Sequence, residues 1–271
     1  MSVAAIGSSI GGVIFSPCVE YLISEFGWRS SDKVMGIFIF VICVPVTAII
    51  IRTHPSEIGE SPYGSVIEEK KTKKSEKRID GKQRKQSIYV LFLIGIFCMT
   101  FANGAALQLP TYLMDLHYSP SLAAGVVSAY MFVGVAGKLL LGWMVDYFGV
   151  KVAAVYNCVV GAIAFICFIF AGHEKMLLGI IIFFGLTSGI TSMLPTLLTG
   201  TLFVQHNYAD VYGVVVSVNR FGGGIGTLLV SILFDVTGNY DVIWPLCFCM
   251  MICTMLCILL CFVEQRKIRI R

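Results

Sequence analysis

The sequence predicts an all-α integral membrane protein with eight transmembrane helices. Three observations carry this. Of the 271 residues, 57% are hydrophobic and only 13% are charged, about half the typical charged share of about 25% in a soluble domain. Mean hydropathy is +0.84. Eight stretches meet the need for roughly 20 apolar residues, set by a rise of about 1.5 Å per residue through a core of about 30 Å. They are 3–23, 33–51, 88–114, 123–145, 152–171, 176–203, 211–233 and 242–263. None shows the alternating pattern of a membrane barrel, which leaves helices as the spanning structure.

The first span lacks a preceding basic segment and ends at Ser16-Pro17 and Glu20 without a cleavage site, so it reads as a true span rather than a signal peptide. Gly7 and Gly11 sit four apart, a spacing that lets a neighbouring helix approach closely. Phe26-Gly-Trp-Arg29 closes it with interfacial aromatics and a snorkelling arginine. The second span contains Pro45 and ends at Arg52. A turn-rich segment follows at 55–64. Then 68–85 holds nine Lys or Arg against Glu68, Glu69, Glu76 and Asp80. No aromatics interleave these charges, so nucleic acid is not the expected partner. A cytoplasmic linker resting on anionic membrane lipid is. The predicted organisation is 1–52 as two helices, 53–87 as the basic linker and 88–271 as six helices.

With the linker inside, the loops near 116–122, 172–175 and 237–241 fall outside and hold one Lys or Arg, Lys175. Lys151 and the basic tail 266–271 join the linker on the inner face. Both termini are therefore expected in the cytoplasm, with the chain in the cell membrane.

Metal and cofactor chemistry are not expected. Of the ten cysteines, Cys249, Cys253, Cys257 and Cys261 recur every four residues along the last span. No His, Asp or Glu stands at their depth, so they read as small packing or lipid-facing residues. The four histidines fall at span ends or in loops. No nucleophile–base pair or phosphate loop is present, so the chain is not expected to be an enzyme or to use ATP directly.

The segment Gly142-Trp-Met-Val-Asp146-Tyr-Phe-Gly149-Val-Lys151 resembles the inner-loop signature of the major facilitator superfamily, Gly-x-x-x-Asp-x-x-Gly-x-Lys/Arg. Gly27-Trp-Arg29 resembles the end of that family's fifth helix, Leu109-Pro-Thr-Tyr-Leu-Met-Asp115 the end of the seventh, and Phe234-Asp-Val-Thr-Gly-Asn-Tyr240 the outer end of the eleventh. The combination is most similar to the monocarboxylate and oxalate:formate branch. Six helices follow the linker and two precede it, so the chain looks like helices 5–12 of such a transporter, truncated by its first four. In place of the fifth-helix antiporter motif's Gly-Pro stands Ser16-Pro17. The resemblance implies secondary transport of a small organic anion by alternating access, coupled to a proton or a counter-anion. It makes Gly142, Asp146, Gly149 and Lys151 a gating motif, with Asp146 placed to meet the positive end of the helix that begins near 210.

Two cations sit deep in the predicted spans. Lys138 lies eight residues before Asp146 and Arg220 nine residues into the seventh span, so both stand roughly 12–14 Å from the inner face. A charge at mid-bilayer costs about 2.5–3.5 kcal/mol on insertion scales, so such residues face a cavity or a partner. Their expected role is to bind the carboxylate of the substrate. The resemblance agrees, because the monocarboxylate branch has a basic residue four before the motif's first glycine, where Lys138 stands. Asn103, Tyr130 and Thr191 are the polar residues expected to share the cavity; Gln108, Thr187, Ser192, Ser217 and Thr227 lie at similar depth. Two other readings stay open: a membrane protein that does not transport alone, as a remnant or with a partner, and a facilitator for a non-anionic solute.

Overall fold

The structure, a computed structural model, describes residues 2–50, 82–203 and 208–270. Among these no strand occurs. The chain groups into two compact units, Met1–Glu20 with Arg84–Arg271, and Tyr21–Gln83. The predicted linker lies outside the described residues as far as position 81. From Lys82 the chain is already helical, six residues before the expected span.

Six helices among the described residues are long and apolar enough to cross a membrane: Trp28–Ile49, Ile88–Asp115, Pro120–Phe148, Val150–Ile169, Asp210–Thr237 and Ile243–Arg266. The count of eight is not reached. The stretch 3–23 lies within helix α1 (Ser2–Phe26), which contains Pro17. The stretch 176–203 is not one helix but an interrupted one.

Helix α2 (Trp28–Ile50) carries Pro45 within it. Gly27, at φ +73, makes the corner between α1 and α2, a conformation glycine adopts without a Cβ penalty. The apolar side chains of α2, among them Ile37, Phe40, Val41 and Ile49, are exposed, as suits a helix in lipid.

The third span is α3 (Lys82–Ala105), a 3-10 turn (Ala106–Gln108) and α4 (Leu109–Asp115). The turn has a cause. Pro110 has no N–H for the carbonyl of Ala106, and the Leu109 N–H takes that carbonyl instead. Helix α5 (Pro120–Phe148) starts on Ser119, whose hydroxyl accepts the Leu122 N–H, with Pro120 in the first turn. It continues through Asp146 to Phe148, so the segment 142–151 that resembles an inner loop is helical except at one residue. Gly149, at φ +83 and ψ 162, turns the chain directly into α6 (Val150–Ile169).

The sixth predicted span is assembled from α7 (Glu174–Gly179), a π turn (Ile180–Phe184), two helical residues at 185–186, an interrupted stretch at 187–193, and α8 (Leu194–Leu202). Its backbone ladder loses register. Thr187, Ser188 and Ile190 donate three residues back, while the carbonyl of Gly189 accepts from both Met193 and Leu194. Pro195 adds to this, because it cannot donate to the carbonyl of Thr191. Helices α9 (Tyr208–Thr237) and α10 (Ile243–Ile270) complete the fold.

Helix α6 packs chiefly on α10, and α5 on α6 and the π turn. At one end of this packing Tyr112, Phe168, Tyr240 and Trp244 stack on one another, with Phe168 and Trp244 centroids 4.7 Å apart and the Tyr112 hydroxyl donating to the Phe168 carbonyl at 2.9 Å. Burial, with a smaller push from the Asp115 carboxylate, raises the Tyr240 hydroxyl above its ordinary pKa, so it stays protonated.

Two close seams hold α3. Along α9, Gly222, Gly223 and Gly226 lie against the backbone or side chains of Phe97, Thr100, Phe101 and Gly104. The Thr227 hydroxyl donates to the Gly104 carbonyl at 3.0 Å, and Gln108 donates to the Ser231 hydroxyl at 2.9 Å. Along α10 the cysteine stripe does the packing. Cys261 donates to the Ile88 carbonyl at 3.6 Å, Thr254 to the Gly95 carbonyl at 3.2 Å, and Cys98 and Cys253 bring their sulfurs to 3.9 Å. Copper–phenanthroline in membranes is therefore expected to join Cys98 to Cys253, since a sulfur shift of about 2 Å reaches disulfide length. Mass spectrometry should show that cross-linked peptide pair in wild type and lose it in Cys253→Ser. Cross-linking only to Cys257 would show that α10 has a different rotation.

Candidate functional site

Both deep cations line cavities, and the cavities share a wall. One, of about 290 Å³, is lined by Thr100, Asn103, Thr191, Asn219, Arg220 and Thr227, with Gly104, Leu107, Gly223 and Gly224. The other, of about 210 Å³, is lined by Ser9, Asn103, Leu107, Tyr130, Met131, Lys138, Phe184 and Ser188. Asn103 and Leu107 belong to both. All five residues expected from sequence to meet the substrate, Lys138, Arg220, Asn103, Tyr130 and Thr191, thus line one cavity or the other. Among the described residues no acidic one lines either.

The two cations have different surroundings. Lys138 is only 3% exposed. It is held on α5, whose Gly137 lies against the backbone just before the interrupted stretch; a Cβ there would stand 2.8 Å from the Gly185 oxygen and from Leu186. Ser188 ties the same helices together by donating to the Gly134 carbonyl at 2.9 Å. Tyr130, two turns from Lys138, meets Phe184 edge-on at 5.1 Å. The Lys138 cavity is therefore half aromatic and aliphatic. Arg220 is exposed and stands among amides, hydroxyls and glycine backbone.

Sequence reasoning missed Asn219. Its side-chain amide donates to the Thr191 carbonyl at 3.0 Å, the carbonyl that Pro195 leaves without a helical donor. The pairing holds the interrupted stretch against α9 beside Arg220. The signal was legible in principle: a proline four residues after Thr191 marks a carbonyl in need of a donor. Ser9, Thr100, Met131, Phe184 and Ser188 were also missed as lining residues, because their positions become informative only once helices are packed. Of the other polar candidates, Ser217 donates to its own Gly213 carbonyl and Thr187 to that of Phe184, Ser192 is exposed, and Gln108 serves the α3–α9 seam; Thr227 both lines the cavity and serves that seam.

A sequence profile of the major facilitator superfamily matches the chain over residues 1–227 and 91–268. The chain belongs to the Major Facilitator Superfamily. It is similar to monocarboxylate transporter 12 of Rattus norvegicus, 22% identical over 281 residues that cover 92% of this chain and 56% of the relative. For monocarboxylate transporter 12 of Homo sapiens the identity is 22% over 274 residues, 92% and 53%; for that of Xenopus laevis it is 24% over 256 residues, 88% and 55%. The chain spans about half the length of the curated relatives it matches. As a major facilitator it is a multi-pass membrane protein of a transporter family.

In this facilitator the signature motif closes α5. Gly142 is buried; Asp146 and Lys151 are exposed, and Gly149 supplies the left-handed residue between helices. The Asp146 carboxylate makes no hydrogen bond or ion pair among the described residues.

Proposed function

We propose that this facilitator carries a small, monocarboxylate-like organic anion by secondary active transport with alternating access, coupled to a proton or a counter-anion. The observation that supports it is that two deep cations, Lys138 and Arg220, line adjoining cavities. Lys138 binds the carboxylate in the drier cavity, where a weakly screened charge attracts more strongly. Tyr130 covers the substrate body, Asn103 reaches it from the shared wall, and Arg220 and Thr191 bind from the wetter side. The basic segments face the cytoplasm of the cell membrane, where anionic lipid receives them. Helices that approach on glycine, as α3 and α9 do, move as rigid bodies in the alternating step.

The gating motif acts apart from binding. In one transport state Asp146 meets the first turn of α9, where unpaired N–H groups favour a negative charge. The test reconstitutes the 271-residue chain in proteoliposomes and measures uptake of radiolabelled short-chain monocarboxylates, with binding in nanodiscs alongside. Wild type is expected to bind carboxylates in preference to the matching neutral amides. Asp146→Asn is expected to slow uptake severalfold while leaving binding affinity unchanged. A chain that binds amides as well as carboxylates would overturn the anion reading; unaltered uptake by Asp146→Asn would overturn the latch.

A further inference from the structure

A buried amide lies deep in the membrane-spanning part without a partner. Asn157, on α6, is fully buried, and neither its side-chain nitrogen nor its oxygen has a hydrogen-bond partner among the described residues. It stands seven residues past Val150, roughly 10 Å along the helix. In hydrocarbon such a group is costly unless something satisfies it.

The residues one turn either side of Asn157 on α6 border the interrupted stretch. One turn to one side, Gly161 borders both Met251 of α10 and Thr187, whose Cγ2 lies 3.6 Å from where a Cβ would stand. One turn to the other side, Ala153 shares a core cluster with Leu141 and Met193. Asn157 is therefore bracketed by residues that meet the two ends of 187–193. That stretch has unmet needs of its own: the N–H groups of Gly189, Thr191 and Ser192 find no backbone partner among the described residues. An orphan amide thus lies between two residues that border a backbone that has lost its ladder.

We infer that Asn157 and the stretch 187–193 form a binding site for a buried water molecule, which bridges the amide to the backbone of the interruption. Water suits this site better than a cation does. Asn157 and the backbone supply both donors and acceptors, whereas a cation would use acceptors alone. The stretch also packs on the helix that carries Lys138, with Ser188 bonded to Gly134, so a second positive charge would be repelled. The water keeps the helix interrupted where its residues Ser188 and Thr191 enter the two cavity walls.

Two substitutions read this site through opposite signs. The full chain in nanodiscs is compared as wild type, Asn157→Ala and Asn157→Leu by thermal unfolding and by hydrogen exchange of 187–193. Alanine leaves room for water; leucine fills the space with an apolar group. Bridging by water predicts that leucine lowers the unfolding temperature more than alanine does and raises exchange in 187–193 severalfold. If the amide is only an unsatisfied buried group, leucine removes its cost and fills volume, so it would raise the unfolding temperature with exchange unchanged; that result overturns the proposal. Should Asn157→Leu not fold, radiolytic labelling of wild type in ¹⁸O water decides. Incorporation at the buried Thr187 and Met193 supports the site, and none there overturns it.

Discussion

Lys138→Ala is expected to weaken binding of a short-chain monocarboxylate by about 30-fold or more. Truncating one partner of a buried charge pair costs about 2–5 kcal/mol, and about 1.4 kcal/mol is tenfold. Arg220→Ala should cost less, about tenfold at most, because the Arg220 side chain is exposed while Lys138 is 3% exposed, and solvent screens the exposed charge. Lys138→Arg should recover part of the loss, since the charge is kept in a cavity shaped for a slimmer group. Equilibrium binding of labelled substrate in nanodiscs gives all three constants. Retention of wild-type affinity by both alanine variants would reject the two-cation site. The reverse order, with Arg220 dominant, would move the carboxylate to the wetter cavity.

Gly104→Ala should be the most damaging single methyl on α3. The added Cβ would collide with the backbone of Gly223, and backbone cannot rotate away as a side chain tip can. Overpacking of this kind costs about 1–3 kcal/mol, and parting the helices also stretches the bond from Thr227 to the Gly104 carbonyl, worth about 1 kcal/mol. Gly224→Ala is the control. It sits on the facing helix with nothing within 4 Å of the new Cβ, and removing a mid-helix glycine is stabilising by roughly 0.5–1 kcal/mol. The two methyls should therefore shift unfolding in opposite directions, read by thermal melts or denaturant titration in micelles. Equal shifts would mean that the α3–α9 seam is looser than described.

The sequence carried the fold class and family because both are written in local signals. Apolar run length marks a span whatever it packs against, and the motif ending in Gly149 and Lys151 is contiguous. The cavity-lining cations were legible for a related reason: a charge such as Lys138 or Arg220 is expensive in an apolar run, so its presence points to a cavity. The interruption at 187–193 was not legible as such. The stretch 176–203 is apolar enough to read as one span, and its Gly185 and Gly189 lie against Val133 and Leu141 of α5, a contact between residues distant in sequence. The cysteine stripe was read as packing or lipid-facing residues; Cys257 and Cys261 are buried and Cys249 is exposed, and the helix the buried ones pack on could not be named.

By itself, then, the sequence determined that this chain is an all-helical membrane protein of the facilitator type with two deep cations, since hydropathy, charge cost and a contiguous motif are properties of neighbours along the chain. Only the tertiary structure decided that Lys138 and Arg220 line separate cavities joined at Asn103 and Leu107, that Asn219 supplies the donor Pro195 withholds from Thr191, and that Asn157 is fully buried without a side-chain partner among the described residues. Each of these depends on which residues distant in sequence come within a few ångströms, and that is set by how glycine-lined helices close on one another rather than by any local pattern.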